Sequence, residues 1–226
     1  MLNYKANNNF IEFNYFDEFD KKKFLYNGKL NFKPFYSSIT GDIDEINILH
    51  LFGSNSIIAE LLRTGIFNSK NIDFKLNINA NKIQNSRNFI NLFLKFKIQE
   101  SLIDIDETQI EWKNNSLINL SDTLIFVEDG KLYLDGKSQI NIENVKNIYK
   151  FLFTPKNFRK KIKKINFRFS YAFDDKEITI DDIIIDGKYN QKVNEKLNNI
   201  YFRGSKLQNK IFFKNMVNDL LKAYAG

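Results

Sequence analysis

Residues Lys164–Phe173 read KINFRFSYAF, and an apolar side chain recurs at every second position of this stretch. Strict alternation of apolar and polar residues is the pattern of a β-strand that has one face buried. The stretch therefore predicts a half-buried strand. The apolar residues expected to share its buried face are Ile165, Phe167, Phe169, Tyr171 and Phe173.

The same period recurs along the chain in Ile72–Ala80, Asn88–Ile98 and Gly130–Ile142. Turn signals divide these runs. Asn27-Gly28 and Asp129-Gly130 each lie between two apolar stretches, which favours two-residue hairpin turns, and Asp186-Gly187 is a turn signal that closes the run Ile178–Ile185. We expect about eight to ten antiparallel strands, arranged largely as a meander.

Helical spacing appears between the strand-like runs and again at the end of the chain. Ser54 is placed to cap a short helix that Gly65 ends, and Pro155 follows a second helical pattern. The expected helical positions in the second half are Val145, Ile148, Tyr149 and Leu152, then one or two turns over Asn157–Lys164, then Val193, Leu197 and Ile200, then Asn209–Ala225. The fold class is therefore α+β with a predominantly antiparallel sheet. We expect one segment over 1–226, mainly β with short helices over 1–190 and a helical tail over 191–226.

Composition narrows the chemistry that is open to this chain. It has 226 residues, no cysteine, and His50 as its only histidine, which excludes disulfides, thiolate metal sites and poly-histidine sites. Asp104, Asp106 and Glu107 form an acidic cluster without a neighbouring base, and we interpret them as a solvated strand face. We therefore expect no enzyme, no metal and no cofactor.

The formal net charge of +7 permits attraction to anionic surfaces, but its sign does not choose among them. The densest basic run is a candidate contact for nucleic acid or lipid headgroups, and equally a solvated connection. Its members are Lys156, Arg159, Lys160, Lys161, Lys163 and Lys164. No window approaches the roughly 20 apolar residues that span a bilayer, and no signal peptide is evident.

The apolar strand faces allow two hypotheses. They form an ordinary closed core, or a curved sheet leaves them open as a hydrophobic groove. An acyl chain of about 15 methylenes at about 0.8 kcal/mol each needs roughly 12 kcal/mol of apolar shelter. The candidate groove residues are Phe167, Phe169, Tyr171, Phe173, Leu132, Leu134, Leu92, Leu94 and Phe96.

The chain from Lys29 onward resembles the C-terminal region of AsmA-like proteins. The resemblance is carried by KLNFKPFYSSITGDI (Lys29–Ile43), IIAELLRTGIF (Ile57–Phe67) and IDFKLNINANKI (Ile72–Ile83). It continues through Glu100–Phe173 and ends with LQNKIFFKNMVNDLLKAYAG at the C-terminus.

This resemblance implies a curved, open β-sheet with a hydrophobic groove, in a protein of outer-membrane biogenesis that moves phospholipid across the periplasm. AsmA-like proteins are tethered to the inner membrane by an N-terminal helix. This chain lacks that helix, so we expect it to be the C-terminal part of a longer periplasmic protein. The expected partners are phospholipid or another envelope lipid and envelope proteins, and the family has no catalytic residues to carry over.

Two other hypotheses remain open. The chain is a structural or protein-interaction module whose apolar faces form only its own core, with the C-terminal helix covering the sheet end or docking a partner. Alternatively, it is a basic nucleic-acid-binding domain, which requires the scattered lysines to gather on one face.

Overall fold

A computed structural model describes residues 1–48, 56–198 and 210–226. Within these ranges the chain forms a single 13-stranded sheet and four α-helices. His50, the predicted cap Ser54 and the predicted helix positions Ile200 and Asn209 lie outside the described residues.

The strands follow one another along the sheet almost in chain order. They are β1 Leu2–Ala6, β2 Phe10–Phe19, β3 Lys22–Phe32, β4 Phe35–Ile46, β5 Ile72–Ile83, β6 Phe89–Gln99, β7 Leu102–Asp104, β8 Gln109–Trp112, β9 Ser116–Glu128, β10 Lys131–Ile142, β11 Lys164–Ala172, β12 Glu177–Ile185 and β13 Lys188–Tyr189. Neighbours in this order are paired, except that β7 pairs only with β6 and β8 takes the next place beside β6.

The sheet is open and mostly antiparallel, as the alternating pattern predicts. The expected count of eight to ten strands was too low, and the arrangement is not a pure meander, because β4 and β5 are parallel. A parallel pair needs a crossover connection, and helix α1, Ile57–Arg63, belongs to it. The periods of β4 and β5 alone carry no sign of their relative direction.

Two of the predicted turns are confirmed. Asp129 and Gly130 have φ angles of 50° and 76°, and they connect the paired residues Glu128 and Lys131. Asp186-Gly187 forms the same kind of turn, with φ angles of 49° and 80°, between β12 and β13. Positive φ at both central residues is the geometry that matches the twist of a hairpin.

The turn predicted at Asn27-Gly28 was wrong, because β3 runs straight through it. Gly28 pairs with Phe13 of β2, and a Cβ atom on Gly28 would lie 2.4 Å from Cε1 of the Phe13 ring. This glycine therefore makes room for a ring on the neighbouring strand. The turn lies instead at Asp20 and Lys21, whose φ angles are 51° and 59°.

The predicted helices form, with small changes at their ends. They are α1 Ile57–Arg63, α2 Val145–Leu152, α3 Gln191–Asn198 and α4 Lys210–Ala225. The Ser56 hydroxyl accepts the backbone N–H of Ala59 and so caps α1. One or two helical turns over 157–164 were expected. The structure has a single 3-10 turn at Lys156–Phe158, and no helix follows before β11.

Side chains that pair across neighbouring strands share a face of the sheet, and one face is predominantly apolar, with a few buried hydroxyl side chains such as Ser37 and Ser138. Two clusters cover it within the described chain. Helix α1 packs over the middle strands with Ala59 and Leu62 buried. Helices α2, α3 and α4 cover the β12 end with a second cluster that includes Leu152, Val193 and Leu221.

Three bulges interrupt the ladder, and each places an extra Asn or Asp in the left-handed region. They lie at Asn91 of β6, Asp122 of β9 and Asp182 of β12, with φ angles of 48°, 51° and 54°. Asn and Asp tolerate this conformation better than other residues with a Cβ. In β9 and β12 the extra residue shifts the apolar period by one position, for example from Ile178 and Ile180 to Ile183 and Ile185 in β12.

Helix α3 is fixed to strand β12 by one buried amide. Asn194 is 5% exposed, and its Oδ1 accepts the Ile183 N–H at 2.8 Å. Its Nδ2 donates to the Ile183 carbonyl at 2.9 Å and to the Asn190 carbonyl at 2.9 Å. The side chain therefore supplies partners to both backbone groups of Ile183 next to the Asp182 bulge.

We expect Asn194→Ala to lower the free energy of unfolding by about 2 kcal/mol or more. The reason is that the N–H and the carbonyl of Ile183 would both lose their buried hydrogen-bond partner. The matched control is Gln191→Ala in the same helix, whose exposed side chain donates to Glu195. That control should stay within about 0.5 kcal/mol of wild type in urea unfolding. Equal losses for the two variants would contradict this role of Asn194.

Candidate functional site

The nine predicted groove residues lie on the apolar face, and most of them are interior. Six are buried members of the central cluster: Leu92, Leu94, Phe96, Leu132, Leu134 and Phe169. Phe167 and Phe173 pack against that cluster and are partly buried. The ring of Tyr171 contacts Phe173 with a centroid distance of 5.0 Å, and burial raises the pKa of the Tyr171 phenol.

An apolar pocket of about 260 Å³ opens on the same face, between α1 and strands β5 and β6. All of its lining side chains are apolar. They are Ile58 and Leu61 of α1, Phe67 of the following 3-10 turn, Phe74 and Leu76 of β5, and Leu94, Phe96 and Ile98 of β6. Of the predicted groove residues, the pocket uses only Leu94 and Phe96.

Sequence reasoning missed six of these lining residues, although their signals were present. Phe74 and Leu76 alternate along β5, and Ile58 and Leu61 share a helical face. What the sequence does not reveal is that the β4–β5 crossover lays α1 over the sheet. That crossover alone brings the helix face opposite β5 and β6.

An ion pair holds the C-terminal end of α1 in place. Arg63 Nη2 donates to Asp174 Oδ1 at 2.7 Å, and Asp174 Oδ2 accepts the Leu132 N–H at 3.0 Å. Arg63 also pairs with Glu60. The helix is thus joined to the turn between β11 and β12, across the sheet from the strands that line the pocket.

The apolar face continues from the pocket toward the N-terminal strands. Phe13 and Tyr15 of β2 and Tyr26 of β3 are half-buried, and the two tyrosine rings lie 6.4 Å apart. Of the described residues, Phe24 and Tyr26 of β3 pack against the central cluster, and neither cluster includes a residue of β1 or β2. The apolar face is therefore less covered here than at the other end of the sheet.

The basic run is exposed on a fixed backbone. Lys156, Arg159, Lys160, Lys161 and Lys163 are exposed, and Lys164 is half-buried at the start of β11. None of the six forms an ion pair within the described part of the chain.

Backbone contacts hold this segment in place. Asp186 Oδ1 accepts the N–H groups of Lys163 and Lys164 at 2.9 and 2.8 Å. The Tyr149 hydroxyl donates to the Lys160 carbonyl, and Ile162 is buried in the second cluster. The charged side chains thus extend from a segment that is anchored at several points.

The acidic cluster makes structural contacts. Asp106 Oδ1 accepts both the backbone N–H and the hydroxyl of Thr123, at 2.6 and 2.7 Å. Glu107 pairs with Lys95 at 2.6 Å, and burial raises the pKa of the Asp104 carboxyl. Within the described ranges, no group of three or more histidines or carboxylates is arranged to hold a metal ion.

None of the described helices combines the length and the apolar character that crossing a bilayer requires. Comparisons with protein-family models, curated proteins and solved structures found no match to this chain.

We expect Arg63→Ala to lower the free energy of unfolding by about 1–3 kcal/mol and to speed amide exchange across α1, because a charge-assisted contact is lost. Its side chain is 17% exposed. Arg168→Ala is the control, because its contact with Asp182 is 3.7 Å long and its side chain is 65% exposed. The control should cost less than about 0.5 kcal/mol. If both arginines cost the same, the contact with Asp174 does not hold α1 in place.

Proposed function

We propose that this chain binds the acyl part of a lipid on the apolar face of its sheet, as a non-enzymatic segment of a bacterial envelope protein. The observation that carries the proposal is the pocket between α1 and strands β5 and β6, whose lining is entirely apolar. The resemblance to AsmA-like proteins supports the same function. By the same resemblance, we propose a periplasmic segment that takes part in outer-membrane biogenesis and phospholipid transfer.

The size of the pocket limits what it holds. Its 260 Å³ lies just below the 300–1,000 Å³ that is usual for small-molecule sites. A segment of about eight methylenes gains roughly 6 kcal/mol of apolar shelter, about half of what a whole acyl chain of 15 methylenes requires. The rest of the acyl chain would lie along the apolar face of the sheet toward Tyr26 and Phe13, where helices leave that face partly exposed.

The same structure also favours a second function, the closed-core interaction module. Six of the nine predicted groove residues are buried, and Leu132 is fully buried. These positions serve the core whatever the pocket does. An open hydrophobic groove along β10 and β11 is therefore not part of the proposal, which rests on β5, β6 and α1.

The test is binding of 11-(dansylamino)undecanoic acid, whose fluorescence rises and shifts to the blue in apolar surroundings. We expect the wild-type chain to bind it and Leu61→Asp to weaken binding at least tenfold, because a carboxylate at the pocket mouth opposes an apolar guest. Leu61 is 38% exposed, so the charged variant should fold. Leu61→Gln provides a neutral second variant with the same expected direction.

Ile57→Asp is the matched control. Ile57 belongs to the same helix, is 79% exposed and does not line the pocket. It should bind the probe as wild type does, with an unchanged circular dichroism spectrum. A folded wild-type chain that ignores the probe would favour the closed-core module, and equal losses at both positions would place binding elsewhere.

A further inference from the structure

The positive charge of the chain is concentrated in one segment. Residues 144–173 contain nine basic and no acidic side chains, whereas the other 196 residues contain 25 basic and 27 acidic ones. The whole excess of positive charge therefore comes from α2, the basic run and β11. Such a concentration is an electrostatic footprint for an anionic partner, whereas the rest of the chain is nearly neutral.

An exposed phenylalanine lies within this segment. Phe153 ends α2 and is 77% exposed, with φ and ψ of 57° and 36°. This left-handed position after a helix is usually occupied by glycine. A large apolar side chain is thus held in water by a backbone conformation that it ordinarily avoids.

The neighbours of Phe153 hold it in this orientation. Leu152 and Thr154 are 2% and 1% exposed. Asn218 of α4 contacts both of them, since its Nδ2 donates to the Leu152 carbonyl at 2.8 Å and its Oδ1 accepts the Thr154 hydroxyl at 2.7 Å. The exposed ring therefore lies between two buried residues whose positions are fixed, so the local backbone determines its exposure.

One basic side chain contacts the ring, and two others lie close to it in the sequence. The ammonium of Lys214 on α4 lies 4.3 Å from the ring centre of Phe153 and 4.5 Å from that of Phe151. Lys150, in the last turn of α2, and Lys156, three residues after Phe153, are exposed. An exposed apolar ring beside an ammonium group, in a segment rich in exposed lysines, suits the boundary between acyl chains and anionic headgroups.

We propose that Phe153 and the lysines around it dock the chain on an anionic lipid bilayer, with the phenylalanine ring entering the headgroup boundary. A lipid surface fits better than nucleic acid. Single-stranded nucleic acid needs several exposed rings for stacking, and of the aromatic residues in this fully described segment only Phe153 is exposed. Seven of the nine basic residues are lysines, whereas readout of base edges favours arginine. This inference is independent of the pocket between α1 and β5–β6.

The test is cosedimentation of the whole chain with phosphatidylcholine vesicles, with and without phosphatidylglycerol. We expect binding only when phosphatidylglycerol is present, and a fall in affinity as salt rises. Phe153→Ser should weaken binding roughly tenfold or more, since an inserted ring is lost. Phe19→Ser is the matched control, because Phe19 is 75% exposed in β2, at the other end of the sheet, and should leave binding unchanged.

The double variant Lys150→Gln/Lys156→Gln should also lose roughly tenfold or more, whereas Lys5→Gln/Lys70→Gln should bind as wild type does. Three outcomes would overturn the proposal. These are a wild-type chain that does not sediment with anionic vesicles, binding that Phe153→Ser leaves intact, and binding of single-stranded DNA without binding of vesicles. Because the dansyl probe assay uses no bilayer, failure here is distinguishable from failure of the acyl-binding proposal.

Discussion

A sheet of 13 strands with one apolar face has to shield that face from water, and the described chain offers only four helices for this purpose. Three of them gather at the β12 end and form a cluster with it. The fourth, α1, is seven residues long and packs against β9 and β10. The pocket is the space that this short helix leaves over β5 and β6. It exists because seven helical residues are too few to cover the apolar side chains of these strands.

The pocket side of the molecule and the basic segment are linked by a single strand. β11 begins at Lys164, beside the basic run, and ends just before the turn whose Asp174 holds Arg63 of α1. Nine residues of strand span about 30 Å, which is comparable to the thickness of the hydrocarbon core of a bilayer. The contact that positions α1 is therefore about 30 Å from the lysines that begin this strand.

Alternation and helical spacing carried most of the fold. The strands over 72–83, 89–99 and 131–142 and helix α2 are where these periods put them. The predictions that were wrong concern contacts between distant segments, which a local period does not encode. Gly28 resembles a turn residue in the sequence, but its role is to accommodate Phe13 on another strand. The parallel direction of β5 was likewise invisible, and with it the position of α1.

The candidate sites differ in the same way: some follow from local patterns, and others depend on contacts between distant segments. Local composition is enough to locate the basic run, and alternation is enough to locate the apolar rows, so both were found from the sequence. Phe153 was not singled out, because a phenylalanine after a helix carries no local sign of its exposure. The contacts of Asn218, 65 residues later in the chain, help to hold the two residues beside it, and no local pattern reveals them. The pocket, too, depends on which segments meet.

The Asn and Asp residues at the three bulges have a consequence for how relatives of this chain must be compared with it. Side chains alternate between faces with a period of two, so removing one residue from a strand exchanges the faces of everything beyond it. Asp122 and Asp182 therefore act as phase shifts in the hydrophobic pattern of β9 and β12. A homologous strand without the bulge would show the same fold only with its apolar residues displaced by one position. An alignment that allows no gap inside strands would score such a true relative as a mismatch.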